Sequence, residues 1–416
     1  MGKNCLIGRQ PIISINERVV AYELLFRAVG TAANRADVRN ATFSTANVIN
    51  NTITNFGIEN LLGDRNGFIN LDYELLMSDV LELLPKQQIV LELLENLEVT
   101  PELVERCRDL KAQGFALALD DHEYSPQFHE LYKITDIVKI DLIQTPIPRL
   151  PEMVRQLRSY PVKLLAEKVE TRAQFMACRH MRFDLFQGYF FAKPSVLEKR
   201  QLGESGALLL RLMHLLYQDA DTKDIEDAIK GSSSLTYKLL LLANSAAYAA
   251  REKITSIHQA LALIGRNQVK RWVQLAFFAT DENSGGENPL VDMAAVRGAL
   301  MEQLAGFQPH LSSEPDGTEK AFLTGILSLL ARIYNIPLDE LNQRLNPGDD
   351  VIGALAEHEG VYGKLLTLAE KNEAMDFDAV AELLDELGIS VDSALQSQLA
   401  SYAWGYPVGE EDREDR

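Results

Sequence analysis

The sequence predicts a TIM-like (β/α)8 barrel of the α/β class followed by an all-α domain. Two observations carry this. Apolar, strand-like stretches alternate with helix-like segments up to about residue 195, and after Pro194 strand patterns disappear in favour of Leu- and Ala-rich helical periodicity. The strand candidates are Leu6–Ile13, Val19–Arg27, Gly67–Asp72, Gln88–Glu95, Phe115–Asp121, Ile137–Leu142, Val162–Val169 and Phe183–Phe191. The helices between them are expected at Ala41–Asn55, Tyr73–Leu84, Pro101–Ala112, Pro126–Lys133, Pro151–Arg158 and Thr171–Met181. Pro101 and Pro151 suit the first helical turn, where a missing N–H leaves no bond unmade, and Thr100 is placed to cap. Alternating strands and helices imply parallel pairing with right-handed crossovers. A doubly wound open sheet is the alternative, but no glycine-rich dinucleotide turn supports it.

In the second half, helices are expected at Ala207–Gln218, Asp224–Lys230, Leu235–Ala243, Ile257–Ile264, Val269–Thr280, Val291–Gly306, Glu319–Tyr334, Pro337–Leu345, Val351–Glu357, Val361–Glu370, Asp376–Leu387 and Val391–Ala403. Polar loops at Asp281–Asn288, Ser312–Thr318 and Asn346–Asp350 separate some of them. The domains are therefore drawn as 1–195, 196–405 and an acidic tail, 406–416.

The 416 residues carry a net charge of −19, with 46% hydrophobic and 24% charged residues. That charge repels nucleic acid, and a phosphate-bearing ligand would need bound cations to invert the local field. Cys5, Cys107 and Cys178 fit no zinc motif. With no signal peptide or membrane span apparent, a reducing cytoplasm is expected.

A strand buried on both faces should be almost continuously apolar. Glu23, Asn70, Glu92, Asp120, Lys139, Asp141, Glu167 and Gln187 break that rule, mostly near the C-terminal ends of their strands. In a barrel of this kind those ends meet at one mouth. Glu23, Asn70, Glu92 and Asp120 make a hard oxygen set suited to Mg²⁺ or Mn²⁺, and Asp121 could serve a second ion. Two such ions are a device for attacking a phosphodiester. Lys139 could orient the attacking water, and Glu167 and Gln187 complete the shell.

These residues also carry a resemblance. Glu23-Leu24-Leu25 with Arg27, Asn70 in FINLD, Glu92 in LELLE, Asp120-Asp121, Lys139-Ile140-Asp141, Ala166-Glu167-Lys168-Val169-Glu170 and Gln187-Gly188-Tyr189 follow one another in the order of an EAL domain, the cyclic di-GMP phosphodiesterase family. The resemblance spans roughly residues 5–195. It implies metal ligation by Glu23, Asn70, Glu92, Asp120 and Asp121. If the site is active, Lys139, Glu167 and Asp121 take the catalytic roles. Leu25, Arg27 and Gln187 would bind the nucleotide.

The chain departs from the family at three places. Leu24 replaces the signature's central alanine. Asp120-Asp121-His122-Glu123-Tyr124-Ser125-Pro126 lacks the glycines of the usual loop, and Lys168 stands where a glycine is usual. Residues 227–280 resemble an HDOD domain, through Leu235–Tyr248, Ile254–Leu263 and Gly265. No His-Asp dipeptide exists, and Gly325–Leu330, where paired ligands would be expected, is apolar, so no metal is expected in that domain. Asn244-Ser245 reads as a helix cap or turn, His258 as a structural histidine, and Lys270-Arg271-Trp272 as a solvated helix face with one buried tryptophan, a partner contact being the alternative.

The leading expectation is a signalling protein of the cyclic di-GMP system, with hydrolysis lost or weak. Its degenerate barrel would bind nucleotide or metal or dock a partner, and its HDOD domain would bind another protein. An active phosphodiesterase and a pure adaptor remain as alternatives. A homodimer is left open.

Overall fold

The computed structural model describes residues 5–28, 58–95, 97–188, 204–244, 254–278, 289–314, 316–333 and 337–402. The expected helix Ala41–Asn55, the loop Asp281–Asn288 and the tail 406–416 lie outside these residues.

Eight strands close into a barrel in chain order: β1 Cys5–Ser14, β2 Val19–Ala28, β3 Asn66–Leu71, β4 Ile89–Leu93, β5 Ala116–Leu119, β6 Ile137–Asp141, β7 Lys163–Glu167 and β8 Leu185–Gln187. The expected parallel pairing holds from β2 to β8. It fails at β1, which is antiparallel to both β2 and β8. No helix separates β1 from β2. A tight turn joins them instead, with Glu17 in the left-handed region (φ 60°) and the Ser14 N–H donating to Arg18 O at 2.8 Å. A turn that short can only return the chain antiparallel.

Inside the barrel, Ile12, Ala21, Phe68, Val90, Ala118, Ile137 and Leu165 form one buried apolar layer, joined by the partly buried Leu185. Every strand contributes, β5 also through the partly buried Ala116, so this layer plugs the barrel and supports what lies above it.

The helix Pro101–Ala112 begins at its proline, with Thr100 Oγ1 accepting from Leu103 N at 3.2 Å. Thr171 opens Arg172–His180 through a reciprocal bond with Gln174. Two expected helices are shorter than their sequences suggested. Tyr73–Leu76 gives way to a 3-10 turn at Asp79–Leu83, because Ser78 between them is extended. Pro126–Phe128 is 3-10 before the single helical turn His129–Tyr132.

The chain forms two compact units. One comprises Met1–Ser195, Gly306–Ser312 and Thr367–Arg416, and the other Val196–Ala305 and Ser313–Leu366. The helices Phe377–Leu387 and Val391–Tyr402, which the sequence reading draws into the all-α domain, thus belong to the barrel's unit. There Gln398 Nε2 donates to Ile7 O of β1, and Arg9 lies over the rings of Tyr22 and Tyr402 at 4.0 and 4.1 Å. Gly8 permits this packing, since a Cβ there would meet Met375 Sδ and Phe377 Cζ.

Among the described residues of the second unit, helices are the only regular secondary structure. Its helices Pro289–Ala305 and Gly317–Ile333 approach closely at Gly298 and Gly325. Buried Arg297 donates to Ser328 Oγ at 2.6 Å across the same pair. Among the described residues no helix is long and apolar enough to cross a membrane.

Candidate metal centre at the barrel mouth

The polar residues of the strands converge because of the pleat. Side chains two apart on a strand share a face. Two residues beyond the plug positions Ala21, Phe68, Val90, Ala118, Ile137, Leu165 and Leu185 stand Glu23, Asn70, Glu92, Asp120, Lys139, Glu167 and Gln187. On antiparallel β1, Gln10 stands two residues before Ile12 and completes the ring.

At the centre is the Lys139 ammonium, its side chain 1% exposed. It lies 2.8 Å from Glu167 Oε1, 3.1 Å from Asp120 Oδ1 and 3.3 Å from Glu23 Oε2, and it also contacts Glu92 Oε1. Asn70 Nδ2 donates to Glu23 Oε1 at 2.9 Å, and Gln187 Nε2 donates to Gln10 Oε1 at 2.9 Å and to Glu23 Oε2 at 2.5 Å.

Four carboxylates thus share one cation. Burial works to lower the Lys139 pKa, but the surrounding carboxylates, Glu92 foremost, outweigh it and hold the ammonium charged well above the usual lysine range. Burial raises Glu92 well above the carboxylate range even with Lys139 beside it, and pushes Glu167 up to about 8. Asp120 moves the other way. Burial opposes its ionisation, yet Lys139 and hydrogen bonds from its neighbours hold it below its ordinary value.

Two groups of carboxylates have oxygens close enough to share a metal ion: Glu23 with Glu92 and Glu167, and Asp120 with Asp121 and Glu167. Asn70 Oδ1 and Gln187 Oε1 are buried with no hydrogen-bond partner. Buried acceptors left without donors are rare and costly. Here they are hard oxygens within an acid-rich ring, so the residues present fit a divalent cation.

Above this ring, Asp141 Oδ2 accepts from Lys168 Nζ at 2.6 Å, and the same ammonium lies 3.6 Å from Asp121 Oδ2. Lys168 has a left-handed backbone (φ 53°). The strand ends are pinned nearby, with Val169 N donating to Gln187 O at 3.0 Å. Gly188, at φ 153°, lies so close that a Cβ would strike the Val169 backbone.

The segment after Asp121 turns without glycine. Asp121 itself takes the left-handed conformation (φ 39°), which a short polar side chain tolerates. His122 then tucks under the loop, with its Nε2 2.6 Å from the Tyr132 hydroxyl, which also accepts from Ser125 N at 3.0 Å. The rings of Tyr124 and Tyr132 stack at 5.6 Å. Packing of aromatic side chains replaces the freedom of glycine here.

Leu25 and Arg27 follow Glu23 on the same face of β2; Leu25 is half-buried and Arg27 exposed. The Arg27 guanidinium rests on Asp378. Gln10 and the bracing role of Tyr132 escaped sequence reasoning, although counting back from Ile12 in the strand period finds Gln10. No sequence signal points to Asp378.

In the second unit, Asn244 Oδ1 accepts from Ile254 N at 2.8 Å and its Nδ2 donates to Ile254 O at 2.9 Å, so it clamps the backbone. His258 Nδ1 lies 2.6 Å from Glu226 Oε1. Lys270 and Arg271 pair with Glu319 and Glu302. The stretch 325–329 is buried in its helix.

Residues 9–194 match the EAL domain family and residues 206–338 the HDOD domain family. The chain is 30% identical over 406 residues to the uncharacterized protein YuxH of Bacillus subtilis, covering 96% of this chain and 97% of that one. It is 31% identical over 405 residues to the cyclic di-GMP phosphodiesterase CdgJ of Vibrio cholerae, covering 97% and 92%. Among solved structures it is similar to the Bacillus subtilis YkuI protein, which has an EAL domain, in complex with substrate c-di-GMP and calcium. There the identity is 20%, the coverage 64% of this chain and 74% of the other, and the TM-score 0.39.

Proposed function

This chain belongs to the EAL–HDOD family of the cyclic di-GMP system, and on that premise we propose that its barrel mouth binds cyclic di-GMP together with a divalent cation, Mg²⁺ or Mn²⁺. The HDOD domain then carries the binding state to a protein partner. The observation that carries this reading is the ring itself: carboxylates crowded round one lysine, with buried oxygens still lacking a donor. Cyclic di-GMP brings phosphodiester anions, which such a ring would repel without a further positive charge.

Glu23, Asn70, Glu92 and Asp120 would hold the ion. When bound, it supplies charge neutralisation at the phosphodiester and a lowered pKa for water. Lys139 keeps four carboxylates within reach of one another. Arg27 and Leu25, above the ring on the same face, offer the nucleotide a guanidinium and an apolar edge, and Gln187 a polar one.

Hydrolysis is slow or lost in this reading. Support comes from Lys168, whose ammonium lies against Asp121, and from the aromatic-braced loop that follows. Active phosphodiesterase chemistry is the second reading. The contact of Lys139 with Glu167 beside a second acid group favours it, as does full-length likeness to a named phosphodiesterase.

The test is calorimetry with cyclic di-GMP and Mn²⁺, alongside chromatography for linear product. Binding that Glu23→Ala removes, with little or no product, supports the first reading. Rapid product formation abolished by Glu23→Ala selects the second. Neither binding nor product overturns both and leaves an adaptor.

A further inference from the structure

We propose that the Lys168 ammonium is a tethered cation serving the second acid group, so that the mouth takes up one divalent ion and not two. The inference deepens the reading above and rests on the mouth being a cation site. Its argument begins with an asymmetry. At the first group, Asn70 Oδ1 beside Glu23 is buried without a donor. Lys139 faces both groups, touching Glu23, Glu92 and Glu167 of the first and lying 3.1 Å from Asp120 Oδ1 of the second, but only the second has a further ammonium, Lys168, 3.6 Å from Asp121 Oδ2.

Lys168 is also held there. Its ammonium lies 2.6 Å from Asp141 Oδ2, and the Asp141 side chain is only 3% exposed. Moving the ammonium away would strip a buried carboxylate of its counter-charge. The backbone agrees, since Lys168 keeps a left-handed conformation (φ 53°) that side chains other than glycine and asparagine seldom adopt. Val169 N, bonded to Gln187 O, and the close approach of Gly188 fix the chain on the C-terminal side. A divalent ion entering beside Asp121 would have to displace this ammonium or sit against it.

The experiment counts bound Mn²⁺ on the full chain without nucleotide, by electron paramagnetic resonance of the free ion and by calorimetry. The wild type should bind one ion per chain. Lys168→Gly and Lys168→Asn should bind two, because both residues tolerate the left-handed backbone while removing the charge, and Lys168→Arg should remain at one. Thermal melts check that each variant is folded. Two ions on the wild type, or one on both folded neutral variants, overturns the inference while leaving the mouth a cation site. No ion on any form overturns the reading of the mouth and the inference with it.

Discussion

Arg27 and Asp378 lie 351 positions apart, yet the Arg27 guanidinium donates to both oxygens of the Asp378 carboxylate, at 2.9 and 3.1 Å. The strand carrying Glu23 is therefore touched by a helix from near the far end of the described chain. The pair is exposed, so its energy is small, and the packing at Gly8, Arg9 and Gln398 carries most of the attachment.

Asp378→Ala should cost less than about 1 kcal/mol in urea unfolding. Gly8→Ala should cost about 1–3 kcal/mol, because the added methyl overpacks against Met375 and Phe377. A neutral Gly8→Ala variant would mean that the C-terminal helices do not pack on β1 as described.

Lys139→Met should be among the most damaging single changes in the barrel. It leaves Glu23, Glu92, Asp120 and Glu167 without their shared cation, and breaking a buried pair costs about 3–5 kcal/mol. Lys133→Met, which removes only an exposed contact with Glu130, should cost little by comparison. Unfolding in EDTA compares the two, and equal losses would contradict the central role of Lys139. Added Mn²⁺ should restore part of the stability lost by the Lys139 variant.

His122 should make stability depend on pH. Burial lowers its pKa to about 4 in the folded chain, from its ordinary value of 6.5. As pH falls below about 6.5, the unfolded chain takes up a proton that the folded chain refuses. The contribution is complete above that point and is lost progressively down to pH 4, amounting to at most about 3 kcal/mol. The stability difference between wild type and His122→Gln, followed from about pH 7.5 to about pH 4.5, should shrink as acid is added. A constant difference would remove His122 from this role.

Cation uptake should release protons near neutral pH. Burial pushes Glu167 up to about 8 and raises Glu92 well above its ordinary value, so a bound ion must displace protons from the ring. Mn²⁺ affinity should therefore rise with pH through about 8, where Glu167 gives up its proton. Calorimetry in buffers of different ionisation enthalpy reads the protons directly, and no buffer dependence at pH below about 7 would contradict the raised carboxylates.

Much of the mouth was legible because it violates a simple rule. Glu92 between Leu91 and Leu93, or Lys139 between Val138 and Ile140, makes little sense in a buried strand unless the side chain has a polar destination. The reversed direction of β1 was missed because its sequence is as apolar as that of its neighbours, and only the short turn to β2 decides it. The attachment of Phe377–Leu387 and Val391–Tyr402 was unreadable for another reason. An amphipathic helix announces that it has a partner and not which one. At Asp121 the usual glycines are missing, yet the left-handed residue is the aspartate, and Tyr132, further along, supplies the bracing.

On every strand the plug and ring residues share the inward face and the residue between them points outward, and this has a consequence for folding. A slip of a single position in one strand would turn its acid or amide outward and point an aliphatic neighbour at Lys139; for β4 it would exchange Glu92 for Leu91 or Leu93. Partial mispairing therefore cannot yield a half-working mouth that still closes comfortably, since the ammonium would lose a counter-charge at the same stroke. The chemistry of the opening doubles as a proofreading signal for correct closure of the barrel.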